Sequence, residues 1–196
     1  YLMLERENGE KSAFSLASAP HAGRDLELHV LVREASAQTL IEQLQRNPLV
    51  RVEMPFGDTH LSQLPDGPLV LIAAGTGMAQ MHSLIEHCRA KGFKHPVHLY
   101  WGVRRPQDFY AIEHWDQWQQ LPNLYLHKVV SDLCGWDGRC GMLHEAVCED
   151  IQDLSSVYVY GSGSPAMIYA TLDALVDAGM DPHQMRADVF AYAPRD

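Results

Sequence analysis

The chain has 196 residues, 46 % apolar and 20 % charged, which is enough for a core of its own and unlike a disordered or fibrous composition. Its formal net charge of −10 speaks against a nucleic-acid partner, because phosphate-backbone binding needs clustered Lys and Arg. No stretch reaches the roughly 20 apolar residues of a membrane span and no leader pattern opens the chain, so the expectation is a soluble, cytoplasmic protein without a membrane partner.

Residues 1–62 alternate with period two. The runs Tyr1-Leu2-Met3-Leu4, Phe14-Ser15-Leu16-Ala17-Ser18, 26–32 and 50–55 are punctuated by Asn8-Gly9, Pro20 to Gly23, Asn47-Pro48 and Gly57-Asp58. This pattern predicts short antiparallel strands. One helical pattern interrupts them at 35–46, with Leu40, Ile41 and Leu44 on one face. The segment 62–68 is loop chemistry and divides a first domain, 1–62, from a second, 69–196.

Beyond the boundary, continuous apolar runs alternate with helical stretches. Strands are predicted at 69–74, 97–102, 124–130 and 157–160, each followed by a helix, at 78–90, 111–120, 142–151 and 165–178. A last strand is predicted at 187–192. Repeated strand–helix units need crossovers, hence a parallel, doubly wound sheet buried on both faces.

The four cysteines, Cys88, Cys134, Cys140 and Cys148, match neither zinc nor iron–sulfur spacings and are expected as reduced thiols. His82, Glu86 and His87 miss both zinc-helix spacings, so no metal site is predicted. No nucleophile elbow is present either.

In open parallel sheets, ligands bind beyond the carboxyl ends of the strands. Three loops there are candidates. Ala74-Gly75-Thr76-Gly77-Met78 can bring backbone N–H groups to a phosphate, although Gln80 replaces the third glycine of the dinucleotide fingerprint and a plain tight turn fits equally. Gly161-Ser162-Gly163-Ser164-Pro165 reads as a helix cap or the second wall of a pyrophosphate cleft. Gly102-Val103-Arg104-Arg105-Pro106 places two guanidiniums at a third strand end, as phosphate forks or as a salt-bridged turn.

Four ordered motifs resemble the ferredoxin–NADP reductase superfamily, closest to bacterial NAD(P)H–flavin reductases and oxygenase reductase components. They are Leu71 to Met78; Tyr100 to Arg104 with Asp108, Phe109 and Tyr110; Gly135-Trp136, Gly138-Arg139 and Gly141; and Gly163 to Met167. The resemblance implies a partial antiparallel flavin-binding β-barrel followed by a parallel α/β NAD(P)-binding domain. It implies FAD or FMN and NADH or NADPH as cofactors, with hydride passing from nicotinamide C4 to flavin N5. Electrons would pass onward, to an electron-acceptor protein where there is one.

Residue by residue, Ser12-Ala13-Phe14-Ser15 matches the family's Arg-x-aromatic-Ser fingerprint, so Phe14 and Ser15 would line the flavin ring with Ser15 near N5 as the catalytic hydroxyl. His29 and Val30 would lie on the next flavin-facing strand, Thr39 would open the pyrophosphate-binding helix, and Phe190 and Tyr192 would stand behind the flavin. Gly75, Thr76, Gly77, Met78, Ser162, Gly163 and Met167 would hold the nicotinamide dinucleotide, with Arg104, Asp108 and Arg139 at its ribose or phosphates. The sequence departs from the pattern at Ser12, where the family carries the flavin-phosphate arginine, at Gln80 for a proline, and at Ser162 for a cysteine. The family barrel has about six strands and this chain opens at the third. Weak, exchangeable flavin binding is therefore expected. An oxygenase reductase component with a separate iron–sulfur partner and a degenerate, non-catalytic nucleotide-binding module remain as alternatives.

Overall fold

The computed structural model describes residues 1–33, 35–47, 49–132 and 135–195. Strands β1 (Leu2–Glu5) and β2 (Lys11–Phe14) form an antiparallel hairpin, with Leu4 opposite Ser12. Its turn closes through the Arg6 amide on the Glu10 carbonyl at 2.8 Å. Helix α1 (Ala35–Arg46) follows, and Leu40 packs with Leu2 and Leu4 in a small core of its own. The two-residue β3 (Val52–Glu53) pairs with the other side of β1, giving the order β2-β1-β3. Residues 26–32, predicted as a strand, form none. Their alternation is real, since Leu28 packs on the small core, but no ladder holds them beyond contacts such as the Ala17 amide on the Glu27 carbonyl at 2.8 Å. The partial barrel is thus a three-stranded sheet in the described residues.

The second sheet comprises β4 (Leu69–Ala74), β5 (Val97–Val103), β6 (Leu124–Val130), β7 (Arg139–Cys140), β8 (Tyr158–Ser162) and β9 (Met185–Arg186). Its order is β7-β6-β5-β4-β8-β9, and every pairing is parallel. Helices α2 (Met78–Ala90) and α3 (Trp115–Trp118) supply one face; α4 (Leu143–Asp150) and α5 (Pro165–Asp177) supply the other. The run Leu69 to Ala73 explains itself here. Leu69, Leu71 and Ala73 enter one core layer while Val70 and Ile72 enter the other, all at 0 % exposure.

The predicted strand at 187–192 is corrected. Pairing with β8 stops at Arg186, and helix α6 (Val189–Tyr192) follows, with Val189 buried and Tyr192 exposed. A short apolar run cannot separate strand from helical turn by period alone. The helix predicted at 111–120 shrinks to α3, where Trp118 is the fully buried anchor. Among the described residues, no helix is long and apolar enough to cross a membrane.

The reduced-thiol expectation is corrected in part. Cys140, half-buried on the short edge strand β7, is disulfide-bonded, and Cys134 lies outside the described residues. Cys88 and Cys148 are free. Burial pushes the Cys88 thiol up to about 12. At pH 8 such a thiol is ionised in only about one molecule in ten thousand, and the thiolate is the nucleophile. Iodoacetamide at pH 8 should therefore leave Cys88 intact in the folded protein and modify it in denaturant, as peptide mass mapping would read. Rapid alkylation of the folded protein at this residue would contradict the burial.

Candidate active site

The strand order creates the site. From β4 the chain crosses through α2 to β5 on one side, while β8 lies on the other. At such a switch point the loops after the two central strands part and leave a crevice at their carboxyl ends. After β4, Gly75 takes a φ of +55° and a single tight turn delivers the chain into α2. Gly77 meets the opposite loop so closely that a Cβ there would lie 2.3 Å from the Ser162 carbonyl oxygen. Its glycine is required by loop-to-loop packing. Across the crevice, Ser164 caps α5 by accepting from the Met167 amide at 3.4 Å, with Pro165 in the first helical position.

Two cavities open on this crevice and share Leu31, Ala74 and Thr76. The larger, about 550 Å³, is walled on one side by Ser12, Phe14, Ser15, His29 and Val30, and on the other by Thr76, Gly77, Ser162 and Gly163. The smaller, about 230 Å³ and mostly apolar, touches Gly75, Thr76, Arg104, Asp108 and Met167, together with Tyr110. Residues predicted from both halves of the sequence therefore face one cleft.

Among the described residues no carboxylate lines the larger cavity, although the chain carries a net charge of −10. Its cationic lining residue is Arg6. The guanidinium donates through Nε to Ser12 Oγ at 2.6 Å and through a terminal nitrogen to the Ser36 carbonyl at 2.8 Å, and it pairs with no carboxylate among the described residues. The hydroxyls of Ser15, Thr76 and Ser162 make no hydrogen bond to any described residue, which leaves them available to a ligand. Arg104 and Asp108 at the smaller cavity are already engaged. Arg104 Nε donates to Asp132 at 2.7 Å, and Asp108 accepts from Arg33 at 2.7 Å.

Five predicted site residues line neither cavity. Met78 is wholly buried in the core at the start of α2. Thr39 sits in the second turn of α1, because that helix begins at residue 35, and its hydroxyl donates to the Ala35 carbonyl at 2.9 Å. Arg139 pairs with Glu149 and, at 2.6 Å, with Asp150, and these carboxylates hold it above its ordinary pKa. Phe190 packs on Tyr169 at 5.6 Å between ring centroids, and Tyr192 is exposed.

Arg6 and Tyr110 are among the cleft residues with no role assigned from sequence. Arg6 was legible in principle. The Asn8-Gly9 turn folds residue 12 back opposite Leu4, beside Arg6. Tyr110 belongs to a quoted motif, but its contact with His29, at 2.7 Å from hydroxyl to Nδ1, joins residues 81 apart, and no local pattern encodes that.

The profile of the oxidoreductase NAD-binding domain family matches residues 71–173. The NAD(P)H-flavin reductase of Vibrio harveyi is 31 % identical over 98 % of this chain and 85 % of its own length. The chain belongs to the ferredoxin–NADP reductase superfamily. Within that superfamily it is also 35 % identical to the CDP-6-deoxy-L-threo-D-glycero-4-hexulose-3-dehydrase reductase of Yersinia pestis, over 93 % of this chain and 56 % of that protein. Among solved structures it is similar to a cytochrome P450 reductase from Amycolatopsis, with a TM-score of 0.81 and 27 % identity over 96 % of this chain and 59 % of the other. The chain thus spans little more than half the length of several relatives that it matches.

Proposed function

We propose that this superfamily member is an NAD(P)H-dependent flavin oxidoreductase. The carrying observation is the larger cavity. It joins the Ser12 to Ser15 segment to the two glycine loops and, among the described residues, bears a guanidinium and no carboxylate and leaves three hydroxyls unbonded. Its volume of about 550 Å³ lies within the roughly 300–1,000 Å³ of cofactor sites. The lining suits a flavin nucleotide and the end of a nicotinamide dinucleotide together. A bound flavin supplies two-electron acceptance from the reduced nicotinamide and onward release in one- or two-electron steps.

The residues supply binding, orientation and exclusion of water. Arg6 and the Ser12 hydroxyl would hold the flavin phosphate. Thr76 and Ser162 would offer hydroxyls to the nicotinamide dinucleotide from the two facing loops. Ser15 would offer its hydroxyl to the bound ring, while Leu31 and Met167 keep the smaller cavity apolar. A second reading, a reductase component feeding a separate iron–sulfur or haem protein, is favoured by the similarity to the Amycolatopsis enzyme and to the terephthalate 1,2-dioxygenase reductase component 2 of Comamonas, the latter 29 % identical over 99 % of this chain.

An absorbance titration with FAD and FMN, followed by anaerobic NADH and NADPH, tests the proposal. Flavin uptake with bleaching by either nucleotide is expected. Uptake without bleaching would leave a non-catalytic nucleotide-binding module. Charge-assisted hydrogen bonds contribute about 1.5–3 kcal/mol, so Arg6→Ala should weaken flavin binding about 10- to 150-fold. Unchanged affinity would remove Arg6 from the site.

A further inference from the structure

One line of contacts joins the two walls of the cleft. His29, on the wall that carries Ser15, has 9 % side-chain exposure and is held from both ring nitrogens. Glu27 Oε1 lies 3.1 Å from Nε2 and the Tyr110 hydroxyl 2.7 Å from Nδ1. A carboxylate only accepts, so Nε2 carries the proton, Nδ1 offers a lone pair, and the Tyr110 O–H donates to it. Burial keeps His29 below its ordinary pKa, against the pull of Glu27, and pushes the Tyr110 phenol up, so both partners hold the protons this bond requires.

From Tyr110 the line continues. Its ring stands edge-on to His29 at 5.2 Å and to Trp101 at 5.1 Å. The buried Trp101 indole N–H donates to the Gly75 carbonyl at 3.0 Å, fixing the glycine loop after β4. Tyr110 also lines the smaller cavity, whereas His29 lines the larger. Among the described residues the Arg33–Asp108 ion pair also links the same segments, and at 55 % exposure of Arg33 it is screened by solvent.

We propose that Tyr110 is a positioning residue: by donating to His29 it clamps the 104–110 loop and, through Trp101, the glycine loop onto the wall that carries Ser15, and so sets the separation of the two nucleotides. This rests on the flavin oxidoreductase reading. A reaction between two stacked rings is sensitive to such a clamp, since a displacement of about 1 Å can cost a hundredfold in rate.

The test uses Tyr110→Phe, which keeps both ring contacts and removes one hydroxyl, with His29→Leu and the double variant. Tyr110→Phe should slow flavin reduction at saturating NADH about tenfold, with KM for NADH and flavin affinity within twofold of wild type. The double variant should be no slower than the slower single variant, because each removes the same bond. In the nucleotide-free protein, Tyr110→Phe should raise amide hydrogen exchange across 104–110 at least fivefold. An unchanged rate overturns the proposal. So does a raised KM with an unchanged limiting rate, which would make Tyr110 a nucleotide contact. Slower reduction with unchanged exchange, or additive losses in the double variant, overturns it as well. If the wild-type protein takes up no flavin, or takes it up and NADH does not bleach it, the flavin oxidoreductase reading falls instead, and the exchange measurement alone decides the clamp.

Discussion

Ser15→Ala is expected to lower the limiting rate of flavin reduction by NADH about tenfold to a thousandfold, the range for loss of one hydrogen bond made in the transition state. Ser15 follows Phe14 at the end of β2, so the two side chains leave the backbone on opposite sides. Phe14 accordingly packs toward the small core around Leu2, Leu4 and Leu40 as well as edging the cavity. Among the described residues the Ser15 hydroxyl is not spent on a neighbouring carbonyl, which is the ordinary fate of a serine beside a sheet. Flavin affinity should change much less than the rate, because Arg6 and the Ser12 hydroxyl remain. Stopped-flow bleaching at saturating flavin and NADH measures this. An unaltered rate in a folded variant would take Ser15 out of the chemistry.

Gly77→Ala should be the most damaging conservative change in the nucleotide loops. The new methyl would stand 2.3 Å from the Ser162 carbonyl oxygen and 2.8 Å from its carbon, both backbone atoms that no rotamer change can move. Either the 162–164 loop or the start of α2 must shift. Overpacking of this kind costs about 1–3 kcal/mol. At about 2–4 °C per kcal/mol for a chain of this size, Tm should fall by about 2–12 °C. The same shift widens the crevice, and a loss of about 1.4 kcal/mol in nucleotide contacts would raise KM for NADH about tenfold. Gly75→Ala is the comparison. Nothing lies within 4 Å of its Cβ position, so only the left-handed φ of +55° is strained, at about 1–2 kcal/mol. Equal KM values for Gly77→Ala and wild type would show that the loops do not meet as described.

By itself the sequence determined several elements on either side of the 62–68 segment. Strands at 69–74 and 124–130 and helices at 35–46 and 78–90 have the bounds that periodicity gives them. Apolar runs and helical faces are local properties, written within a dozen residues. The two glycine loops were legible for the same reason, as strand-to-helix junctions.

Three things were decided only by tertiary structure. The alternation at 26–32 looks like a strand, yet a strand exists only where a neighbour supplies a ladder, and there the described residues supply none. The central place of β4, with β5 and β8 on either side, follows from the crossovers and not from any single segment. That placement brings Ser15 and Ser162 to one cavity. Finally, the link between the cleft's two walls comes from Tyr110 on His29, residues 81 apart in sequence. A side chain's reach crosses between segments that the period of neither one records.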